Sequence, residues 1–471
     1  MSESHPPMVA VDLGAGSCRV SLLTWPDGAP RVDVVHRFEN APVERPDGLR
    51  WSLDTIVGGV EAGLRLCAER VSQPIASVAV DGWGVDYVRL NDDGTPRADP
   101  FCYRDDRTAE AESTVNRALD RHVLWAATGV HQLRINTIYQ LVADRAAGNG
   151  NQPWVQLPEY LTMRLGGRRV AELTGATHTG LVDLDGRWAK PVFDVLQLDA
   201  SLAPPLVRPG TVVGRVTGAL AELPAFANTQ LIVPGCHDTA SAVAGIPAVG
   251  DDWAYLSSGT WSLIGAVLDR PCATPEANTA GFTNLGSVGG QVLFHKLVNG
   301  LWLLQQSQQA WADAGKPWAV GDLVAAAAEA VAPAGLIDVD DPDLLLPGDM
   351  PGRINRQRAK KGLAPVSVDS ADGPVLARLI FESLAARYAT VLADIRRLTG
   401  RPLRRLFVVG GGSQNGLLNR LAAEATGLEV HRGAVESSTV GNLAVQLAVV
   451  VDGRADTATV ARWAAALQPP V

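Results

Sequence analysis

Cationic excess is missing from this 471-residue chain: 41 lysines and arginines stand against 50 aspartates and glutamates, a net charge of −9. Without a surplus positive field to hold a polyanion, nucleic acid is not an expected partner. Cysteine is sparse as well, with five residues, Cys18, Cys67, Cys102, Cys236 and Cys272, and no Cys-x-x-Cys pair. An odd and scattered set argues against a disulfide framework and against a thiolate zinc site, and fits a reducing cytoplasm. No run approaches the ~20 apolar residues that a membrane-crossing helix needs. The opening Met1-Ser-Glu-Ser-His-Pro-Pro lacks both the basic and the apolar region of an export signal. Two nucleotide-binding signatures are missing too. No G-x-x-x-x-G-K-[ST] occurs, and no G-x-G-x-x-G follows a strand, which excludes a P-loop and a dinucleotide fingerprint. The expectation is a soluble cytoplasmic protein, monomer or homodimer, with no membrane and no nucleic acid among its partners.

What the chain does have is apolar bulk. Hydrophobic residues make up 46% and charged ones 19%, enough for two or three folded domains. Met8-Val-Ala-Val-Asp-Leu-Gly-Ala-Gly-Ser-Cys-Arg-Val-Ser-Leu-Leu-Thr-Trp25 reads as strand, glycine-rich turn and returning strand. The layout recurs at Trp253-Ala-Tyr-Leu-Ser-Ser-Gly-Thr-Trp-Ser-Leu-Ile-Gly-Ala-Val267, with hydroxyls where the first copy has its acid. Such a recurrence implies two duplicated, related folds. Apolar spacing predicts helices over Leu53 to Val71, with Ser52 as N-cap, and over Val375 to Leu398. Strands are expected at Ser77–Asp81, Val85–Leu90 and Arg405–Gly410. Strands alternating with helices give the α/β class. Gly245-Ile-Pro-Ala-Val-Gly-Asp251 precedes the second hairpin, so the expected division is 1–247 and 248–471.

Three turns free of bulky side chains each follow a strand: Gly14-Ala-Gly-Ser-Cys-Arg19, Ser257-Ser-Gly-Thr260 and Gly410-Gly-Gly-Ser413. Backbone N–H groups in such turns can close on phosphate oxygens, although any hairpin turn needs glycine for steric reasons alone. Asp12, at the end of the first strand, is placed to orient hydrated Mg2+ against phosphates, or simply to stabilise its turn. Asp238, among the small residues of Val233-Pro-Gly-Cys-His-Asp-Thr-Ala-Ser-Ala242, is placed to accept a hydroxyl proton during phosphoryl transfer, or to cap the helix that follows. His131, His178 and His295 lack metal-type spacing and read as structural or rim residues. Trp83, Trp261 and Trp302 read as core.

The order of these pieces resembles the FGGY carbohydrate kinases of the actin-like superfamily. The resemblance covers nearly the whole chain, and within the family the rhamnulokinases are most similar. It rests on Asp81-Gly-Trp-Gly-Val-Asp-Tyr87, Tyr103-Arg-Asp-Asp-Arg-Thr108, Ile135-Asn-Thr-Ile-Tyr-Gln-Leu141, His237-Asp-Thr-Ala-Ser-Ala-Val243, Tyr255-Leu-Ser-Ser-Gly-Thr-Trp-Ser262, Gly300-Leu-Trp-Leu-Leu-Gln305 and Gly410-Gly-Gly-Ser-Gln-Asn415. It implies two ribonuclease H-like ATPase domains with a cleft between them, the first carrying the sugar site and the first phosphate turn, the second the nucleotide. ATP would be held by Ala15, Gly16, Ser17, Cys18, Arg19, Thr260, Gln305 and Gly412. The sugar would be held by Gly84, His237, Asp238 and Thr239, with Asp238 as general base. The implied reaction is ATP- and Mg2+-dependent phosphorylation of L-rhamnulose. Alternatives are another ketose, such as L-fuculose or L-xylulose, a catalytically silent nucleotide-gated regulator, or an ATPase with a protein client. Three positions depart from the family pattern: Cys18 stands for glycine, Gly82 for threonine, and Leu297 for an asparagine, with Asn299 two residues on.

Overall fold

A computed structural model describes residues 5–468, so the first four residues of the opening stretch fall outside it. By packing, the chain forms two compact units. The first draws on the chain up to Val249, on Val267–Phe294 and on the stretch from Ser437; the second comprises Gly250–Ala266 and His295–Glu436.

In the first unit, Met8–Leu13 is buried along its whole length, as expected of a strand covered on both faces and rich in valine. It sits in a six-stranded sheet ordered Thr211–Arg215, Gln230–Val233, Ser77–Gly82, Met8–Leu13, Ser17–Thr24, Arg31–Glu39. Its pairing with Ser17–Thr24 is antiparallel, the expected hairpin, whereas Ser77–Gly82 runs parallel to it. Helix Leu53–Glu69 buries Leu53, Ile56, Val60, Leu64 and Cys67 on one face. Ser52 caps it, its hydroxyl accepting the Thr55 N–H at 3.2 Å, which satisfies one of the four orphan donors of the first turn.

The helix Ser437–Asp452 explains why the units are not the linear halves 1–247 and 248–471. Its polar residues are spent on the first sheet: Gln446 accepts from Ser77 Oγ at 2.7 Å and donates to the Val9 carbonyl at 3.1 Å, and Asn442 donates to Asp81 at 2.5 Å. Buried amides leave a polar site only at the cost of unmade hydrogen bonds. A second seam is sterically tight, because a Cβ at Gly441 would fall 1.8 Å from the Ser241 carbonyl oxygen.

The second unit repeats the hairpin with Trp253–Ser258 and Trp261–Leu268, antiparallel, followed by Arg405–Val409 parallel to the first of these and Glu429–Arg432 parallel in turn. The helix expected over Val375 to Leu398 runs Gly373–Thr399 and ends on Gly400 at φ 70°, the left-handed cap that glycine supplies without strain. The strand expected at Val85–Leu90 is shorter, Tyr87–Arg89. Val85 has φ 74°, which no strand accommodates.

Candidate active site

Carboxylates gather where the parallel strands of the first unit end. Asp12 and Asp81 are direct register partners, and both side chains are buried. Arg19, opposite Asp12 across the hairpin, reaches its carboxylate at 3.0 Å, and Ser438 donates to the same oxygen. One Asp81 oxygen accepts from Asn442 while the other is buried without a hydrogen-bond partner. Burial, reinforced by the neighbouring Asp12 charge and more weakly by Asp238, holds the Asp81 carboxyl well above the ordinary range. Two acids side by side cannot both ionise cheaply unless a cation or proton joins them.

The turn after Asp12 is shaped for a missing side chain at one position and open at another. A Cβ on Gly14 would lie 2.4 Å from the Ser17 carbonyl oxygen, whereas one on Gly16 would meet nothing within 4 Å. Asn40 fixes this turn by donating to the Gly14 carbonyl at 3.0 Å. Cys18 does not crowd it. Its side chain is part of the hydrophobic core, where burial pushes its thiol up to about 12, and its Sγ reaches back to the Gly14 carbonyl of the turn at 3.7 Å.

Gly82 and Gly84 lie where the Ser77–Gly82 strand ends. Gly82 donates to the Cys236 carbonyl at 3.0 Å, and a Cβ on it would be 2.7 Å from that of Leu13. The packing leaves no room for the threonine that the family resemblance leads one to expect here. Gly84 faces the His237 ring, with a hypothetical Cβ only 2.7 Å from its Cδ2. His237 itself caps the helix Asp238–Ala244: its Nδ1 accepts the Thr239 N–H at 3.1 Å. Asp238 is therefore not the cap but the first helical residue, half exposed, with Oδ1 3.1 Å from His237 Nδ1 and 3.2 Å from Thr239 Oγ1. Burial opposes its charge, yet the imidazole and the Thr239 donors outweigh burial and hold its carboxyl below the ordinary range. A carboxylate kept ionised at a helix N-terminus, among small residues, is fit to receive a proton.

In the second unit, Thr260 Oγ1 donates to Gln305 Oε1 at 3.2 Å. Leu301 and Trp302 N–H groups bond the Gly259 and Thr260 carbonyls at 2.9 and 3.1 Å, so the turn is braced on the helix Trp302–Asp313 that carries Gln305. Gly410 and Gly412 approach the same strand end. A Cβ at Gly410 would be 2.9 Å from the Ser258 carbonyl oxygen, and one at Gly412 only 1.9 Å from Ser258 Oγ. Trp261, expected in the core, is 43% exposed beside this turn. Asn299 accepts from Gly300 N–H and donates to the Leu344 carbonyl.

The structure thus brings Asp12 to Arg19, Gly84 to His237, His237 to Asp238, and Thr260 to Gln305. Sequence reasoning missed two residues. Asp81 was signalled by the repeat of Val-Ala-Val-Asp at 9–12 and 78–81. His178, read as a rim residue, stacks on His237 with ring centroids 3.6 Å apart and planes at 8°; nothing local in the sequence signals that. His295 behaves as expected of a structural residue, bonded to the Tyr255 hydroxyl at 2.8 Å. Among the described residues no helix is long and apolar enough to cross a membrane, and no group of three or more His, Cys, Asp or Glu side chains is arranged to hold a metal unaided.

Residues 7–245 match the model for the N-terminal domain of the FGGY family of carbohydrate kinases, and residues 254–449 match that for its C-terminal domain. A rhamnulokinase of Pectobacterium carotovorum is 37% identical over 447 residues, covering 93% of this chain and 87% of that protein. One from Bacteroides thetaiotaomicron is 34% identical, covering 94% and 90%. Among solved structures, ligand-bound xylulose kinase of Lactobacillus acidophilus matches with a TM-score of 0.78 at 18% identity, over 98% of this chain and 92% of that one. Plasmodium falciparum glycerol kinase with ADP matches with 0.75 at 12% identity, over the same shares, 98% and 92%. Identities this low speak for the fold, a two-domain α/β architecture. With both family models matched along most of its length, the chain belongs to the FGGY family of carbohydrate kinases.

Proposed function

We propose that this kinase transfers the γ-phosphate of ATP to the 1-hydroxyl of L-rhamnulose, with Asp238 as general base. The observation that carries the reading is the placement of Asp238: half exposed at the start of the helix Asp238–Ala244, with Oδ1 3.1 Å from the Nδ1 of His237, whose ring Gly84 faces. The choice of sugar follows the rhamnulokinases that are 31–37% identical over about 93% of the chain. The hydroxyl gives its proton to Asp238 as its oxygen bonds to phosphorus and the bond to the ADP oxygen breaks. Positioning and charge stabilisation supply most of the acceleration in such a transfer.

Ala15, Gly16, Ser17, Cys18 and Arg19, with Thr260, Gln305 and Gly412, hold the nucleotide, largely through backbone N–H groups. Gly84, His237 and Thr239 hold the sugar. Mg2+ takes one or two carboxylates and completes its shell with water and phosphate oxygens, a demand that Asp12, through water, and the unpartnered oxygen of Asp81 fit; when bound it neutralises phosphate charge. In linear terms we assign the sugar site to 1–247 and most of the nucleotide site to 248–471. The enzyme is read as cytoplasmic, a monomer or homodimer.

A coupled ADP-release assay over a panel of ketoses and aldoses, with a sugar-free control, tests the reading. L-Rhamnulose should be the preferred acceptor. Preference for L-fuculose or L-xylulose would overturn the choice of sugar, ADP release without sugar would favour an ATPase, and no release at all would favour a silent regulator.

A further inference from the structure

Next to Gly84 lies a strained piece of backbone. Three non-glycine residues among those described have positive φ, and the β-branched one is Val85 at 74°. A β-branched side chain in the left-handed region is a steric outlier, and such strain persists only where the surroundings over-determine it. Here they do. The Val85 carbonyl accepts from Thr137 Oγ1 at 2.7 Å and from Gln140 Nε2 at 3.2 Å. The same Gln140 amide donates to Asp86 Oδ1 at 3.0 Å. The other Asp86 oxygen accepts from Trp51 Nε1 at 2.6 Å, Trp83 Nε1 at 3.0 Å and Tyr103 N–H at 3.2 Å. Thr137, Gln140 and Asp86 are all buried. Residues on both sides of Gly84 are thus gripped, and Gly84 itself is pressed on the His237 ring with no space for a side chain.

We propose that Thr137 and Gln140 are positioning residues for the sugar: by gripping the Val85 carbonyl they hold the Gly84 turn against His237 in the shape that receives the ketose. This rests on the reading that Gly84 and His237 bind the sugar. It gives a role to the segments Asp81–Tyr87 and Ile135–Leu141, most of which the reaction scheme leaves unused. A clamp of this kind acts on sugar binding, not on nucleotide binding or on proton transfer.

The test compares wild type with Thr137→Val and Thr137→Ser, measuring KM for sugar, KM for ATP, kcat and Tm. Thr137→Val, nearly isosteric but lacking the donor, should raise KM for the sugar by about 10-fold, within the range for a buried hydrogen bond lost, and leave KM for ATP unchanged. Thr137→Ser restores the donor and should restore KM. An active wild type with unchanged sugar KM in Thr137→Val would overturn the clamp alone. So would an equal rise of both KM values in Thr137→Val together with a fall in Tm, the mark of a merely structural contact. A wild type that phosphorylates no ketose would overturn both the clamp and the function it serves.

Discussion

The two hairpins, Met8–Thr24 in the first unit and Trp253–Leu268 in the second, are built alike and furnished differently. Each pairs antiparallel strands across a short turn, and in each a third strand runs parallel to the first. Where the first unit sets Asp12 against Asp81 one position before its parallel pair ends on Leu13 and Gly82, the second pairs Ser257 with Val409 and follows with Ser258 and Gly410. One backbone layout therefore presents charge in one unit and a near absence of side chains in the other. Charge at the end of a buried sheet is useful only toward a cation or a moving proton. Space bounded by backbone is useful toward a ligand that brings its own charge, as a phosphate does.

The sharpest way to break this contrast is to fill the space. Gly412→Ala would drive a methyl into Ser258, whereas a Cβ on its neighbour Gly411 would meet nothing within 4 Å. If an overpacking cost of about 1–3 kcal/mol falls on the nucleotide site, KM for ATP should rise about 5- to 150-fold for Gly412→Ala. Gly411→Ala should change KM little, and steady-state kinetics with ATP varied distinguishes them. Equal effects would mean that the tight approach to Ser258 does not shape the nucleotide site.

On the charged side, the expected effect is a displaced pH profile. The proposed base works only when deprotonated, so activity should fall as pH drops through the pKa of Asp238. That group is held low against burial by His237 and Thr239, which puts the acid limb below the ordinary carboxylate range. His237→Gln removes the largest lowering influence and should move the acid limb of kcat upward, read from kcat against pH at saturating substrates.

The smallest effect concerns stability. Burial pushes the Glu172 carboxyl up from 4.5 to about 8. A carboxyl whose folded pKa exceeds its unfolded value binds its proton more tightly when folded. The stability it contributes is complete below about 4.5 and is lost as pH rises toward about 8. Tm should decline over that window, and Glu172→Gln should make the decline about 2–4 °C smaller, the equivalent of ~1 kcal/mol in a large domain. Identical slopes would show that Glu172 titrates alike in both states.

The hairpins, the capped helix at Leu53 and the long helix at Gly373 could be traced in the sequence because each depends on local spacing and caps. The proposed base, Asp238, was traceable for the same reason, lying in a short motif after an apolar strand. The attachment of Ser437–Asp452 to the first sheet was not, since it depends on Asn442 and Gln446 finding partners hundreds of residues away. Nor was the shape at Val85. A valine in an apolar stretch reads as strand, and only Thr137, Gln140 and Asp86 together force it out of one. The stacking of His178 on His237 is non-local in the same way.

The most direct test of the central claim is Asp238→Asn, assayed for sugar-dependent ADP release alongside calorimetric titration with ATP. Loss of the base should lower kcat by about 10²–10⁴-fold while ATP affinity stays as in wild type. Turnover close to wild type in that variant would contradict the assignment of Asp238 and with it the proposed mechanism.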